Sequence, residues 1–297
     1  MDSPSSAVGL NAGFYGESLG IRLSRLALRS SQKLWPGLAV RAAVRLFTTP
    51  VPPKWLQRPP WPAAWRVERW PFERAGLTLY APADAPPDAP VALLVHGWGG
   101  HARQLLPLGE ALAQQGWRPV LLELPAHGRS AGSTSSLPQF ARAIEYVAQR
   151  LQAQGQAVRL LAGHSLGANA AAHAASGGLP LERLLLLAPP ASPRAYTRYF
   201  AQVFGLHEGT RAALQERIEQ REGKLMRQFE PQAVGPRVAA ATLVVHDRGD
   251  RVNGFADGEA FARAIPGARL LATDGLGHRK LLRDPHVLEA LVRFAGP

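Results

Sequence analysis

Cysteine is absent from the 297 residues, so disulfides, thiol catalysis and cysteine-based metal sites are excluded, while the redox compartment stays open. No apolar run approaches the roughly 20 residues that a bilayer-spanning helix needs. Met1 to Gly20 lack the basic start, long apolar stretch and small-residue cleavage site of a secretory leader, so a cytoplasmic protein is expected. There is no internal repeat, low-complexity tract or recognisable nucleic-acid motif, and no nucleic-acid partner is expected. Charged residues make up only 19% of the chain against 46% hydrophobic, a balance that points to a folded core. The length suits one large α/β domain or two small ones.

What the chain has in excess is positive charge, a net +12, carried mostly by arginines spread among Ala, Gly and Pro. That distribution reads first as compositional bias. One stretch is more pointed: Ile21 to Phe47 sets Arg22, Arg25, Arg29 and Lys33 at helical spacing, with Leu19, Leu23, Leu26 and Leu34 on other faces. Pro36 should interrupt the helix, after which Val40, Val44 and Phe47 continue an apolar stripe. Such a segment either packs on its parent domain or makes peripheral contact, through residues 21–47, with an anionic membrane such as the inner face of a bacterial one. Thr49 to Pro62, dense in proline and tryptophan, reads as an extended wrap or linker. Residues 1–64 are therefore expected to form an N-terminal helical extension.

From Trp65 the pattern becomes regular. Arg66–Phe72 and Leu77–Tyr80 alternate around a turn at Arg74-Ala75-Gly76, as in a β-hairpin. Short apolar strand candidates follow at Val91–Val95, Val120–Leu124, Val158–Ala162, Leu184–Leu187, Thr242–His246 and Arg269–Ala272. Helical patterns separate them at Arg103–Gln115, Leu137–Gln154, Leu166–Ala175 and Phe255–Ala264, and Pro285–Phe294 closes the chain. Strands buried on both faces and separated by helices predict an α/β fold with a doubly wound, mostly parallel sheet over residues 65–297. Between Leu187 and Thr242 the alternation fails. Helical stretches at Tyr196–Phe204 and Arg211–Phe229 predict a small helical cap, residues 190–236, inserted over the strands' carboxyl edge.

In open α/β sheets, sites form beyond the carboxyl ends of the strands. Val158–Ala162 runs directly into Gly163-His164-Ser165-Leu166-Gly167 and then an alanine-rich helix, the G-x-S-x-G nucleophile elbow in its strand–turn–helix context. A serine hydroxyl needs a base, and the order that accompanies this elbow is serine, acid, histidine. Among the histidines after Ser165, His278 stands in a glycine-flanked loop between the last strand and the last helix. His207 falls in the cap, His246 at a strand end and His286 in the last helix. The loop His246-Asp247-Arg248-Gly249-Asp250 offers the acid, with Asp250 placed to reach the histidine loop and Asp247 to support its own turn. Backbone N–H groups of Leu166 and Trp98 are the expected oxyanion donors, the latter from His96-Gly97-Trp98-Gly99-Gly100 after a strand. His96 is read as structural. Trp98, His164, Phe200 and Phe204 are expected to shape a substrate pocket.

A rival reading uses the same glycines. Gly97-Trp98-Gly99-Gly100-His101-Ala102 fits a dinucleotide fingerprint, with Glu123 about 20 residues on. The preceding hairpin and the bulk of Trp98 argue against it, and it leaves Ser165, Asp250 and His278 idle.

Taken together, His96–Gly100, Leu124-Pro125-Ala126-His127-Gly128-Arg129-Ser130, Gly163–Gly167, the Asp250 loop and Gly277-His278 make residues 65 to 297 resemble the α/β-hydrolase superfamily, in particular bacterial esterase- or lipase-like members. The resemblance implies a serine hydrolase acting through Ser165, Asp250 and His278 on a small-molecule ester or acyl substrate, with no metal or organic cofactor. Thioester or amide cleavage, and a non-catalytic binding protein on the same fold, are the alternatives. A serine at 165, where an aspartate would stand, sets the chain apart from dehalogenases and epoxide hydrolases.

Overall fold

The computed structural model describes residues 19–296 apart from positions 57 and 87; the expectations for residues 1–18 lie outside the described residues. The N-terminal basic segment forms two helices, α1 (Leu19–Leu34) and α2 (Pro36–Phe47). They break at Trp35 because Pro36 lacks the N–H that would extend the first ladder, yet its fixed φ suits the first turn of the second. Among the described residues no helix is long and apolar enough to cross a membrane.

Eight strands make one sheet: β1 (Trp65–Phe72), β2 (Ala75–Pro82), β3 (Val91–Val95), β4 (Arg118–Glu123), β5 (Val158–His164), β6 (Arg183–Leu187), β7 (Ala241–Asp247) and β8 (Arg269–Thr273). Their spatial order is β1-β2-β4-β3-β5-β6-β7-β8. Pairing is antiparallel at β1–β2 and β2–β4 and parallel from β4 through β8. The expected doubly wound, mostly parallel sheet is therefore present. The hairpin turn differs from the expectation: Phe72 pairs with Ala75, so the chain reverses at Glu73-Arg74, while Gly76 lies inside β2 opposite Pro71. Glu73 adopts the positive φ of 50° itself, and its carboxylate accepts from Arg142 at 2.7 Å and Gln139 at 2.8 Å.

The two-residue period of the strands sorts side chains into two cores. Leu93, Val95, Leu161, Leu184, Leu186 and Val244 pack against α4 (Leu137–Ala153), α5 (Leu166–Ser176) and α9 (Phe255–Ala264). Ala92, Leu94, Leu160, Leu185, Leu187 and Val245 pack against α3 (Leu106–Ala113) and α11 (Pro285–Ala295). Burying such a side chain contributes about 1.5–3 kcal/mol. The α4 boundary follows from its sequence: Ser136 Oγ accepts from Gln139 N at 3.2 Å, and Phe140, Ile144, Val147 and Leu151 recur at helical spacing on the buried face. Pro107 splits the expected helix over Arg103–Gln115 into a tight turn at Ala102–Leu105 and then α3.

Between β6 and β7 lie α6 (Pro193–Phe204), α7 (Glu208–Glu222) and α8 (Pro231–Val234). The second helical stretch ends earlier than expected because Gly223 takes the left-handed conformation and closes α7. A third apolar cluster joins this insertion to the N-terminal helices: Leu28 and Val44 pack with Phe200, Phe204, Leu214 and Ile218. A last short helix, α10 (Gly277–Lys280), follows β8.

Candidate active site

Ser165 sits at the tip of the sharp turn from β5 into α5, with φ 54° and ψ −127°. A non-glycine residue there carries roughly 1–3 kcal/mol of backbone strain. The strain holds because the turn is packed on both sides. Gly97 is glycine for the same reason: a Cβ there would lie 2.8 Å from Ser165 Cβ and 3.1 Å from His164 O.

The expected acid and base meet. His278 Nδ1 donates to Asp250 Oδ2 at 2.7 Å, with the Asp250 side chain wholly buried. The other carboxylate oxygen accepts from Val252 N at 2.7 Å and Asn253 N at 3.0 Å. Burial pushes the Asp250 carboxyl up, but hydrogen bonds from His246 and His278, the charge of His278 and the Val252 amide outweigh it and hold the group far below the usual carboxylate range. His246 Nε2, fully buried, lies 3.5 Å from Asp250 Oδ2 but bonds Asn253 O more closely at 3.0 Å. Asp247 has a separate task, accepting from Gly249 N, Thr273 Oγ1 and Leu276 N within its own loops. His278 lies in the single turn of α10, where a loop was expected.

His164 is not on the cavity wall, contrary to its expected place in a substrate pocket. Its ring lies tilted against that of His278, centroids 4.7 Å apart, and its Nε2–H donates to His278 O at 2.9 Å. Burial, followed by the charge of His278, pushes His164 down to about 3, so the ring is neutral and the bond fixes the loop that carries His278.

On the other side of Ser165 the loop after β3 is held by two neutral histidines. Nε2 of His96 accepts from Leu124 N at 3.1 Å, and Nε2 of His127 accepts from Gly99 N at 3.1 Å. Their Nδ1–H groups donate to Gly97 O at 2.7 Å and Pro125 O at 2.9 Å, which fixes both tautomers. Burial holds His96 well below its ordinary value and His127 down at about 4. Between these anchors the Trp98 N–H has no protein partner among the described residues, and neither has the Leu166 N–H in the first turn of α5. Glu123, the residue a ribose would require under the nucleotide reading, is 2% exposed. Its carboxylate accepts from Tyr80 Oη, Ala102 N and Arg129 N and is fully committed.

Ser165, Leu166 and Trp98 line a largely apolar cavity of about 940 Å³, the open solvent at its mouth included. Its walls come from distant parts of the chain: Phe47 and Thr48 at the end of α2, Leu137 and Pro138 of α4, Tyr196 and Tyr199 of α6, Ile218 of α7, and Met226 and Phe229. Lys224 is the one charged residue among them. Phe200 and Phe204, expected in the pocket, are fully buried behind it; Phe47 meets Phe200 edge-on at 5.3 Å. They shape the wall through residues that touch it. Nothing in the local pattern around Phe47 or Thr48 signals a site, since they reach it only because α2 packs on α7. No group of three His, Asp or Glu placed to hold a metal occurs among the described residues.

Comparison with known proteins supports the architecture. The family described as serine aminopeptidase, S33 matches residues 85–229, just under half of the chain. No curated protein matches the chain. Among solved structures, a thioesterase domain from the curacin biosynthetic pathway is 21% identical, with a TM-score of 0.55 over 77% of this chain and 98% of its own. Ferulic acid-bound Est1E from Butyrivibrio proteoclasticus is 19% identical, with a TM-score of 0.61 over 77% of this chain and 97% of its own. A bacterial membrane phospholipase A is 16% identical, with a TM-score of 0.59, and its match spans 93% of this chain and 96% of its own.

Proposed function

The chain is an α/β-hydrolase-fold protein, and from that premise we propose that it is a serine hydrolase cleaving carboxylic esters through Ser165, His278 and Asp250. The observation that carries the reading is the 2.7 Å bond from His278 to a buried, ionised Asp250, on a scaffold whose strained elbow presents Ser165 to an apolar cavity. In the first step Ser165 Oγ attacks the ester carbonyl while His278 takes its proton, and Asp250 stabilises the imidazolium. The unpartnered N–H groups of Trp98 and Leu166 receive the oxyanion. Collapse breaks the bond to the alcohol, which leaves with the proton from His278. Water then attacks the acyl-enzyme by the same route in reverse roles, releasing the acid and restoring Ser165.

The lining favours an ester over the peptide that an aminopeptidase takes. An aminopeptidase must accommodate a free ammonium group, which calls for a carboxylate in the wall. The cavity has none among its lining residues, and its single charge is the cation of Lys224. A thioester shares the acyl half of the substrate and is the second reading. A hydrolase whose insertion between β6 and β7 caps the site, with residues 1–64 as an extension, is part of this proposal.

A fluorophosphonate probe should label the protein at Ser165, and Ser165→Ala should abolish labelling while lowering kcat roughly 10⁴–10⁶-fold. A panel of p-nitrophenyl esters, acyl thioesters and aminoacyl anilides should show turnover of the esters and none of the anilides. A folded protein that neither labels nor turns over any ester is a binding protein, and the reading is then wrong.

A further inference from the structure

Helix α1 divides its surface into three stripes. One faces the protein: Leu28 and Gln32 are 4% and 7% exposed, and the Gln32 side chain bonds Gly205 O at 2.9 Å and His207 N at 2.8 Å. A second is basic, with Arg29 and Lys33 exposed on it. The third consists of Leu19, Leu23, Leu26 and Leu34, which helical geometry gathers on one outer face and which are 72%, 58%, 64% and 67% exposed. A helix packed on a water-soluble domain ordinarily turns polar residues outward. This one turns out leucine.

The apolar surface continues past the helix end. Trp35 and Leu38 are 61% and 52% exposed at the start of α2, and Trp55 and Leu56 are 68% and 60% exposed in the wrap. With the four leucines these are the eight most exposed large hydrophobic residues among those described. Charge follows the same stretch. From residue 18 to residue 67 there is no Asp or Glu and there are nine Lys and Arg, so this segment carries most of the net +12.

We propose that this surface docks on an anionic lipid bilayer, with α1 lying in the headgroup plane, its leucine stripe inserted and its basic stripe on lipid phosphates. The combination of exposed leucines, tryptophans and a segment rich in Lys and Arg without Asp or Glu fits that partner. Nucleic acid would use the charge and leave the leucines in water. A two-fold pairing with a second copy would cover the leucines but set the cationic segment against its own image. Docking also has a direct line to the cavity. The run from Leu38 on the patch to Phe47 in the cavity wall is a single helix, roughly 14 Å long at 1.5 Å per residue. The docking itself does not depend on the chemistry of Ser165.

The test is sedimentation of the full chain with vesicles of phosphatidylcholine alone or mixed equally with phosphatidylglycerol, at low and high salt. Binding should favour the anionic vesicles by about tenfold or more and weaken with salt. Leu23→Glu with Leu26→Glu, and separately Lys33→Glu with Arg41→Glu, should each lower partitioning about tenfold. Neither pair should change the denaturation midpoint or the hydrolysis of a short water-soluble p-nitrophenyl ester. No binding to anionic vesicles, equal binding to neutral ones, or undiminished binding by both variants overturns the proposal. So does a lipid-free dimer that the leucine variants dissociate in a protein that ignores vesicles.

Discussion

The two aspartates in one loop make the sharpest test at the level of single residues. In Asp250→Asn the side-chain oxygen has a fixed place, because Val252 N and Asn253 N both donate to Oδ1 and need an acceptor there. The amide nitrogen then faces His278 Nδ1, and as a donor it forces that nitrogen to give up its proton. The proton moves to Nε2, and the imidazole can no longer accept one from Ser165. On the proposed mechanism kcat should fall roughly 10⁴-fold, with the loop intact. Asp247→Asn, whose carboxylate contacts only loop donors and Thr273, should cost far less activity. Steady-state kinetics on one ester, alongside denaturation midpoints, separates the two, and equal losses would remove Asp250 from the mechanism. That Asp250, and not Asp247, contacts His278 was legible in the sequence as reach: Asp250 stands further past the end of the strand. The part played by His164 was not. Its position in the elbow is fixed by spacing, but its bond to the His278 carbonyl joins two loops that only the packed sheet brings together.

The wrap after α2 shows how an element can be correctly read locally and still have an unforeseen role. The two helices and the break at Pro36 follow from periodicity and proline chemistry. That the chain beyond them clamps the site's loops does not. Lys54 Nζ donates to Ser130 O at 3.0 Å and Gly132 O at 2.8 Å, and Thr48 O accepts from Ser135 N at 2.8 Å. A side chain at Gly99, whose φ is +64°, would run into Val51 O, so the wrap lies directly on the loop that carries the Trp98 amide. These are long-range contacts between irregular segments, which no pattern within either segment encodes. Replacing Lys54 with Met keeps the stem and removes both hydrogen bonds. Since the ammonium is only partly buried, the expected loss is about 1–2 kcal/mol, read as a shift in urea midpoint. On the proposed mechanism, a looser wrap should also lower kcat more than it raises KM, because the Trp98 amide binds the transition state more tightly than the substrate. A change confined to KM would place the wrap at the substrate mouth and not over the oxyanion donors.

Across the whole molecule, the polar groups that brace the site are mostly neutral histidines, and they make the fold sensitive to acid. His96, His127, His164 and His173 are all buried. Burial pushes each below its ordinary value of 6.5, His127 and His173 to about 4 and His164 to about 3. In the unfolded chain the same rings bind protons near 6.5, so between that pH and about 4 the unfolded state holds protons that the folded state refuses. Their stabilising contribution is complete above about 6.5 and is lost as pH falls, by up to about 1.4 kcal/mol per pH unit for each histidine. Glu123 works in the opposite direction, because burial raises its carboxyl and favours the protonated folded form on acidification. Burial raises Glu145 and Asp257 in the same way, but three carboxyls against these four histidines and His101 leave acid destabilisation dominant, and Asp250 adds to it only further down, below its ordinary range. Urea unfolding at about pH 7.5 and about pH 5 should therefore differ, the acid side being weaker, by up to about 2 kcal/mol for each of the four histidines before the offset from the carboxyls. His173 offers a check on the assignment, since its ring stacks on Phe229 at 4.0 Å. His173→Gln should flatten the pH dependence by one histidine's share, up to about 2 kcal/mol over this range, and an unchanged slope would mean that His173 is not part of the acid sensitivity.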